Sequence, residues 1–412
     1  MTFEMMFLLG LILFLGFIAS RISLLSKIPR VSTYVLIGML LSPSVLGIID
    51  KSFLAQSDFI VHTVLGIIAF IVGGSIKIHE IRENGSKMLI ILIFQTIVTF
   101  LIVGTGLILL LPYLLPDLES EQVVLVTSLL LAALSVTTAP GATLAIIHEY
   151  KAKGSLTSAL LSMVALDDIL GIMIFSWVTA LVLFAISLAA FEVWQLIEPI
   201  IFITLSLGVG VIVGGILIYL LTHSKHLHTF IIITFSVVTM SYALAVEYHL
   251  EPLLVTVVAG FIASNFSKVY KLVELDIKMH FEELFFVPFF ILAGAHFELD
   301  SFEKVWPIAL VYVVLRILGK FIGSYFGAKV VKSPDTVRRF LGWGLIPQAG
   351  VVIGLSLLLE QYESLDAYAP LLLSVIITSV AINELVGPLL TRYVLLASGE
   401  AKEGKLSKRK DN

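Results

Sequence analysis

The stretch "SVTTAPGATLA" (Ser135 to Ala145) lies in the middle of an apolar segment and places a proline next to a glycine. A proline inside a helix removes a backbone hydrogen bond and breaks or kinks the helix. A second stretch, "GLIPQAGVVIGL" (Gly344 to Leu355), repeats this pattern in another apolar segment. The two stretches predict two interrupted helices, whose freed backbone groups must be buried in protein or line a polar cavity if the segments cross a membrane.

The composition is that of a protein that crosses a membrane many times. The 412 residues are 58% hydrophobic and 14% charged, whereas a soluble protein carries about 25% charged residues. Polar breaks divide the chain into about thirteen apolar segments, each long enough for a bilayer core of roughly 30 Å. The first segment, Phe3 to Ile22, lacks the features of a signal peptide and is predicted to be a membrane helix. The absence of cysteine excludes disulfides and thiolate metal sites.

The distribution of basic residues predicts the orientation of the chain. With the N-terminus outside, most of the 26 Lys and Arg residues fall in the inner loops and at the C-terminal end, as the positive-inside rule requires. The outer loops are acidic, as in "PDLESEQ" (Pro116 to Gln122). We therefore expect the N-terminus outside and the C-terminus inside a bacterial or archaeal cytoplasmic membrane.

The two interrupted segments are the fifth and the twelfth of the chain, which indicates an internal repeat. Segments 1–6 and 8–13 would form two six-helix units, with segment 7 as the connector. An offset of seven segments reverses the direction of each helix, and paired interrupted segments of this kind point to a transport site. The predicted fold class is an all-α polytopic membrane protein with two inverted six-helix repeats and crossing broken helices.

Two adjacent aspartates lie near the middle of the sixth segment, within "LSMVALDDILGIMIF" (Leu161 to Phe175). A charge at this depth costs at least about 3 kcal/mol, so Asp167 and Asp168 indicate a functional site. Adjacent residues of a helix point about 100° apart, so the two carboxylates cannot face one partner. Lys320 is the expected counter-ion of one of them. A purely structural cluster of the three would leave one negative charge unpaired at high cost, so the other carboxylate is open to a cation or a proton.

Other polar residues of the apolar segments have weaker signals. Gly319 and Gly323 flank Lys320 and would allow another helix to approach closely. Arg316, one turn from Lys320, could be a second base for the aspartates. Glu384 is expected to be half-buried and paired, in a structural role. A short outer turn is expected to be solvated: Glu247, His249 and Glu251.

Four stretches resemble the monovalent cation:proton antiporter-2 family, which contains bacterial sodium–proton antiporters and potassium-efflux proteins. They are similar to its second helix, its unwound crossover helix, its paired-aspartate signature and the helix that supplies a buried lysine. In chain order they are "STYVLIGMLLSPSVLGII" (Ser32 to Ile49), "TTAPGATLAIIHEYKAKG" (Thr137 to Gly154), "VALDDILGI" (Val164 to Ile172) and "ILGKFIG" (Ile317 to Gly323). The resemblance covers nearly the whole chain.

The resemblance implies a role for each charged residue. Asp168 would bind the monovalent cation or the proton, and Asp167 would pair with Lys320 and release it when the site is loaded. The broken helices would supply carbonyls and half-helix ends to the cation, with Thr137 and Thr138 nearby. The supporting residues of the predicted site are Pro140, Gly141, Gln348, Gly350 and Glu384.

The resemblance also implies an assembly and a division of the chain. The family is typically a homodimer, with a transmembrane domain at residues 1–395 and a short basic tail at 396–412. Scaffold and dimer helices are expected at about 3–77 and 229–298 and a moving core at about 88–187 and 306–395, with a linker helix at about 197–221.

Two departures from the family pattern leave the choice of cation open. Some sodium antiporters have an aspartate after the crossover threonine, where this chain has Ala139. Many relatives have a charged residue in the second interruption, where this chain has Pro347-Gln348-Ala349-Gly350. The chain also ends soon after the last segment, without the nucleotide-binding domain of the potassium-efflux branch, which favours a plain antiporter.

The predicted function is secondary active exchange of a monovalent cation for protons by alternating access, without a cofactor. Na⁺ is the first candidate cation and Li⁺ the second; either would compete with protons for Asp168, and the exchange is expected to be electrogenic. A K⁺/H⁺ antiporter or K⁺ efflux protein of the same family is the alternative. An intramembrane aspartyl protease is a remote alternative, because its two aspartates must face each other. The expected partners are the transported ions, membrane lipids and a second copy of the chain, and not nucleic acid.

Overall fold

The computed structural model describes residues 2–26, 28–76, 78–115, 121–187, 194–224, 227–267, 269–270, 282–297, 299–348, 350–359, 362–366 and 368–401. Within these ranges the chain forms α-helices, turns and one short 3₁₀-helix (Glu363–Leu365), without a strand. The α-helices of the described ranges are α1 (Thr2–Ser26), α2 (Arg30–Leu41), α3 (Lys51–Ser75), α4 (Ile78–Leu114), α5 (Glu121–Leu134), α6 (Pro140–Glu149), α7 (Ser155–Ser187), α8 (Trp194–His223), α9 (Leu227–Glu247), α10 (Pro252–Phe266), α11 (Glu282–Ala295), α12 (Leu299–Val330), α13 (Asp335–Gly344), α14 (Gly350–Leu358) and α15 (Ala369–Ala397).

The helices have the length and surface of membrane-spanning elements. Seven of the described helices are long and apolar enough to cross a bilayer, and five shorter helices are also apolar. Large apolar side chains lie exposed on the outside of the bundle, among them Phe14, Ile212 and Met240. Such a surface is unfavourable in water and matches a hydrocarbon environment. The predicted all-helical polytopic class is confirmed.

The two interruptions lie where proline and glycine predict them. The fifth segment divides into α5 and α6, with residues 135–139 outside both helices. Pro140 begins α6 because its fixed φ suits the first helical position, where its missing N–H is not needed. The twelfth segment divides in the same way into α13 and α14, on either side of Pro347.

Glycines set the closest helix contacts around these interruptions. A Cβ added to Gly323 of α12 would lie 2.6 Å from the Cα of Gln95 in α4, and one added to Gly319 would lie 2.7 Å from the Cα of Thr99. The predicted close approach of another helix at these glycines is confirmed. Helices α12 and α4 consequently pack against each other along much of their length, and α15 packs on α12.

The C-terminal end of the described chain is attached to the helix that carries the two aspartates. Helix α15 continues to Ala397, beyond the predicted start of the basic tail. The Glu400 carboxylate then accepts hydrogen bonds from the N–H groups of Leu156 and Thr157, each at 2.7 Å. These are among the N–H groups that the first turn of α7 leaves unpaired, so a residue remote in sequence caps this helix. Residues 402–412 of the predicted tail lie outside the described residues.

Candidate functional site

The two interrupted segments cross and bind each other directly. The N–H of Ala139 donates a hydrogen bond to the carbonyl oxygen of Pro347 at 2.8 Å. Arg316 of α12, which is fully buried, binds both segments. Its guanidinium donates to the carbonyl oxygens of Ser135 at 2.9 Å, Thr137 at 2.6 Å and Ile346 at 2.6 Å.

Arg316 therefore satisfies the backbone that the interruptions leave unpaired. The ends of α5 and α13 each leave carbonyl oxygens without a helical partner, and these ends carry a partial negative charge. A buried guanidinium with five donors fits both needs. The expectation that Arg316 could be a second base for the aspartates is wrong, because its donors are directed at carbonyl oxygens.

Lys320 lies one turn further along α12 and forms the ion pair of the site. Its Nζ is 2.5 Å from Oδ2 of Asp167, and both side chains are fully buried. The same ammonium donates to the hydroxyl of Thr138 at 2.9 Å and to the carbonyl oxygen of Val136. The Thr138 hydroxyl in turn donates to Oδ2 of Asp167 at 2.5 Å.

Gln95 of α4 completes the surroundings of this ion pair. With its amide oriented so that the oxygen faces Lys320, that oxygen lies 2.9 Å from the ammonium nitrogen. Its nitrogen then donates to Oδ1 of Asp167 at 3.0 Å. The charge of Asp167 is thus matched by one ammonium and two neutral donors, which is the arrangement a buried ion pair needs.

Asp168 has different surroundings, although it is the next residue of α7. It is 8% exposed, and its Oδ1 has no hydrogen-bond partner among the described residues. The carboxylate lines a small cavity of about 20 Å³, which is room for roughly one water molecule. The other lining residues are Leu65, Thr137, Thr138, Ala139, Pro140, Gly141, Ala142, Leu253, Phe289, Phe290, Val351 and Glu384.

The beginning of α6 supplies the polar wall of this cavity. Ala139 precedes the helix without a side-chain cap, and Pro140 and Gly141 line the cavity. A helix N-terminus carries a partial positive charge, which favours an ionised carboxylate nearby. The backbone N–H of Thr138 is also directed at Asp168. The Thr137 hydroxyl donates to the carbonyl oxygen of Leu134 at 3.3 Å and so caps the C-terminal end of α5.

Gln348 lies in the second interruption and acts on the backbone rather than on the cavity. Its Nε2 donates to the carbonyl oxygen of Leu134 at 2.9 Å and to the hydroxyl of Tyr312 at 3.2 Å. Its Oε1 accepts a hydrogen bond from Nδ2 of Asn383 at 3.0 Å. Gly350 is the first residue of α14. The hydrogen bonds of Gln348 thus join the second interruption to the end of α5 and to α12 and α15.

Glu384 differs from its prediction. It is 2% exposed and not half-buried, and neither carboxylate oxygen has a hydrogen-bond partner among the described residues. It lines the same cavity as Asp168. Glu384 thus lies on a buried face of α15, and its side chain reaches the cavity.

Sequence reasoning missed several polar residues that the structure brings to the site. Gln95, Tyr312 and Asn383 were not considered, although each is a polar side chain in an apolar segment. Buried polar groups usually have hydrogen-bond partners, so such residues are candidates for contacts between helices. That signal could have identified them, but it could not have named their partners.

Comparison with known proteins agrees with this geometry. The sequence matches the family model described as sodium/hydrogen exchanger, transmembrane, over residues 8–396. The structure of the sodium proton antiporter MjNhaP1 from Methanocaldococcus jannaschii at pH 8 is similar, with a TM-score of 0.65 and 16% identity over 96% of this chain and 95% of that chain. A structure of MjNhaP1 from an electron-microscopy map gives a TM-score of 0.71 and 17% identity over 96% and 94%. A search of curated proteins finds no match.

The likeness to MjNhaP1 establishes the fold alone, because the sequence identity is only 16–17%. The family model extends over nearly the whole chain and establishes the family. The predicted resemblance to sodium–proton antiporters is confirmed at this broader level, and the narrower antiporter-2 label is replaced. The chain belongs to the sodium/hydrogen exchanger family.

Proposed function

We propose that this exchanger moves Na⁺ against protons, that Li⁺ can replace Na⁺, and that cation and proton compete for Asp168. Membership of the family makes the chain an integral membrane transporter of cations and protons, and not an enzyme. One observation carries the proposal: adjacent aspartates have opposite surroundings. Asp167 is bound to Lys320 at 2.5 Å, whereas Oδ1 of Asp168 has no partner among the described residues and faces the cavity.

Competition at one carboxylate is sufficient to couple the two ions. An ionised carboxylate buried without a partner is costly, so Asp168 must be neutralised by a proton or by a bound cation. A protonated Asp168 no longer attracts the cation, and a bound cation disfavours the proton. The site therefore carries one or the other across the membrane, and a gradient of either ion drives the movement of the other.

Asp167, Lys320 and Thr138 would link the loading of Asp168 to a change of conformation. A cation beside Asp168 adds positive charge next to the Asp167–Lys320 pair and weakens that pair. Lys320 also binds the interruption through Val136. A shift of the ammonium would therefore move the backbone between α5 and α6, where Thr137 and Thr138 line the cavity.

Alternating access requires two groups of helices that move relative to each other. We assign the scaffold to about 3–77 and 229–298 and the moving core to about 88–187 and 306–395, with 197–221 as the linker. The packing supports this division, because α10 packs on α3, α11 packs on α2, and α12 packs on α4 and α15. A second copy of the chain would join through the scaffold in a homodimer.

Proton flux in proteoliposomes, followed with a pH-sensitive dye after addition of Na⁺, Li⁺ or K⁺, tests the proposal. We expect Na⁺ and Li⁺ to drive flux in the wild type and Asp168→Asn to abolish it, because an amide cannot exchange a proton. Asp366→Asn makes the same change at an exposed residue and should leave the flux unchanged. Flux that persists in Asp168→Asn would refute the site, and flux driven by K⁺ alone would make the chain a potassium exchanger.

A further inference from the structure

Glu384 is a second carboxyl group in the cavity of Asp168, at the middle of α15. It is 2% exposed, and both of its carboxylate oxygens lack a hydrogen-bond partner among the described residues. Its neighbour Asn383 is bound to Gln348, so the two consecutive side chains have separate surroundings. Asp168 and Glu384 are the titratable residues among those that line the cavity.

Among the described residues, none of the helices packed against α15 contributes a cation that binds the Glu384 carboxylate. These helices are α2, α5, α6, α12, α13 and α14. On α12, Arg316 binds carbonyl oxygens of both interruptions and Lys320 binds Asp167. Helix α14 has no charged or titratable residue. The other titratable groups of α2, α5, α6 and α13 lie among the first five or last two residues of their helices: Arg30, Tyr34, Glu121, His148, Glu149, Asp335, Arg338 and Arg339. Helix α12 also has Asp300, Glu303, Lys304, Tyr325 and Lys329 towards its ends, and Tyr312, whose hydroxyl accepts a hydrogen bond from Gln348. On α15 itself, Arg392 lies about two turns beyond Glu384 and its guanidinium is 5.6 Å from the ring centre of Tyr150.

An ionised Glu384 would therefore be a buried charge without compensation while the cavity contains no cation. Burial of an unpaired carboxylate is so costly that the group takes up a proton instead. A cation that enters the cavity supplies positive charge and favours the ionised form of each carboxyl that faces it. The proton on Glu384 is thus held when the cavity lacks a cation and becomes releasable when a cation is bound. One monovalent cation lowers the cost of ionising both carboxyls, and the remaining negative charge lies beside the partially positive beginning of α6, which lines the same cavity.

We propose that Glu384 is the second proton-binding carboxyl of the transport site, so that two protons exchange for each monovalent cation. This inference rests on the proposed exchange at Asp168. In one half of the cycle Asp168 and Glu384 each bind a proton from one side of the membrane. In the other half both protons leave as one cation binds at Asp168, and one net charge crosses the membrane per cycle.

The direct test is the reversal potential of exchange in proteoliposomes with fixed Na⁺ and proton gradients. We expect the wild type to reverse where two protons balance one Na⁺. Glu384→Gln should still exchange but become insensitive to the membrane potential, because one proton then balances one Na⁺. Glu384→Asp retains a carboxyl and should retain the voltage dependence. Glu247→Gln, the same change at an exposed residue, is the matched control and should behave as the wild type.

Proton release by the purified protein provides a second measurement that does not require turnover. Addition of Na⁺ to weakly buffered wild type should release about two protons per bound cation, Glu384→Gln about one, and Asp168→Asn none, since a bound cation displaces protons from the groups it interacts with. Monodisperse elution of each variant confirms that it is folded.

The outcomes separate this inference from the proposed function. An active wild type that reverses at one proton per Na⁺ would overturn the role of Glu384 and leave exchange at Asp168 intact. The role of Glu384 would also be overturned, with exchange at Asp168 intact, if Glu384→Gln still released two protons per cation or if its exchange still responded to the membrane potential. An inactive wild type would instead remove the proposed function itself.

Discussion

Asp167 and Asp168 are adjacent in α7 but have different surroundings. Asp167 faces Lys320, Thr138 and Gln95, and its charge is matched in place. Asp168 points about 100° away around α7, because adjacent residues of a helix do so. On that side it meets a cavity and no ion-pair partner among the described residues. A charge without a fixed partner must be balanced by an ion that arrives and leaves, and that is the property an exchange site needs.

A third carboxyl should give the exchange a pH dependence. Glu251 lies in the turn between α9 and α10, is half-buried, and binds the Ser206 hydroxyl through its backbone N–H at 2.9 Å. The expected solvated position is therefore wrong for this residue. Burial raises the pKa of the Glu251 carboxyl to about 7. Its charge interacts with Asp168 and Tyr242, and the Tyr242 hydroxyl also contacts His62 at 3.1 Å.

Ionisation of Glu251 should attract the cation to Asp168. A raised acid pKa means that Glu251 is neutral below pH 7 and charged above it. An interaction of about 1 kcal/mol would lower the KM for Na⁺ roughly fivefold between pH 6 and pH 8. Glu251→Gln should raise KM at pH 8 by this factor and leave KM at pH 6 close to the wild-type value. Equal KM values for variant and wild type at pH 8 would exclude this role.

At the scale of single residues, the sequence predicts which side chains matter better than what they contact. Asp167, Asp168 and Lys320 stand out because a charge inside an apolar segment is costly. The contacts of Arg316 were not predictable, since they depend on two interruptions that are remote in sequence. The prediction for Glu384 was wrong for a related reason: helix rotation decides its burial, and packing sets that rotation.

At the scale of helices, the crossing of two interrupted segments gives their ends different surroundings. The ends of α5 and α13 expose carbonyl oxygens with partial negative charge, and there Arg316 and Lys320 bind. The beginning of α6 has partial positive charge and faces the cavity that contains Asp168. The buried side chains of Arg316 and Lys320 thus stabilise the backbone of the interruptions. The Asp168 carboxylate is the group that faces the cavity.

The contact between α4 and α12 provides a prediction at this scale. Gly323→Ala should separate the two helices, because the new Cβ would lie 2.6 Å from the Cα of Gln95. Overpacking of this kind costs about 1–3 kcal/mol. Gln95 also contacts Asp167 and Lys320, so a shift of α4 should move Gln95 and disturb the hydrogen bonds around the ion pair. We expect a lower Tm in detergent and slower proton flux in proteoliposomes.

Gly215→Ala in α8 is the matched control for this substitution. A Cβ at Gly215 meets nothing within 4 Å, so the same change adds no clash. Alanine is favoured over glycine in a helix by about 1 kcal/mol, and the Tm should therefore stay constant or rise. If Gly323→Ala is as stable and as active as Gly215→Ala, α4 and α12 can separate without cost and the tight contact is unimportant.

The positions of both interruptions were predictable from sequence, but their contact was not. Proline and glycine act locally on the backbone, so their effect is visible at Pro140 and Pro347 in the sequence. The hydrogen bond from Ala139 to Pro347 joins residues in opposite halves of the chain. Only the inverted repeat suggests that the two segments meet, and it does not determine which atoms pair.

At the scale of the whole molecule, polar groups and apolar surface are separated as a bilayer requires. Exposed apolar side chains cover the outside of the long helices. The buried charges of α7, α12 and α15 collect instead around the interruptions and the cavity. A charge inside a membrane protein is tolerated when it faces the bundle interior.

The orientation of the whole chain can be tested because the sequence contains no cysteine. The positive-inside rule places the turn after α9 outside and the turn after α6 inside. Tyr248 and Lys153 are exposed in these two turns. In right-side-out vesicles, a membrane-impermeant maleimide should label Tyr248→Cys and leave Lys153→Cys unlabelled until the vesicles are opened. The cysteine-free wild type is the background control. The reverse labelling would place the N-terminus inside, and the turn that contains Glu251 would then face the cytoplasm.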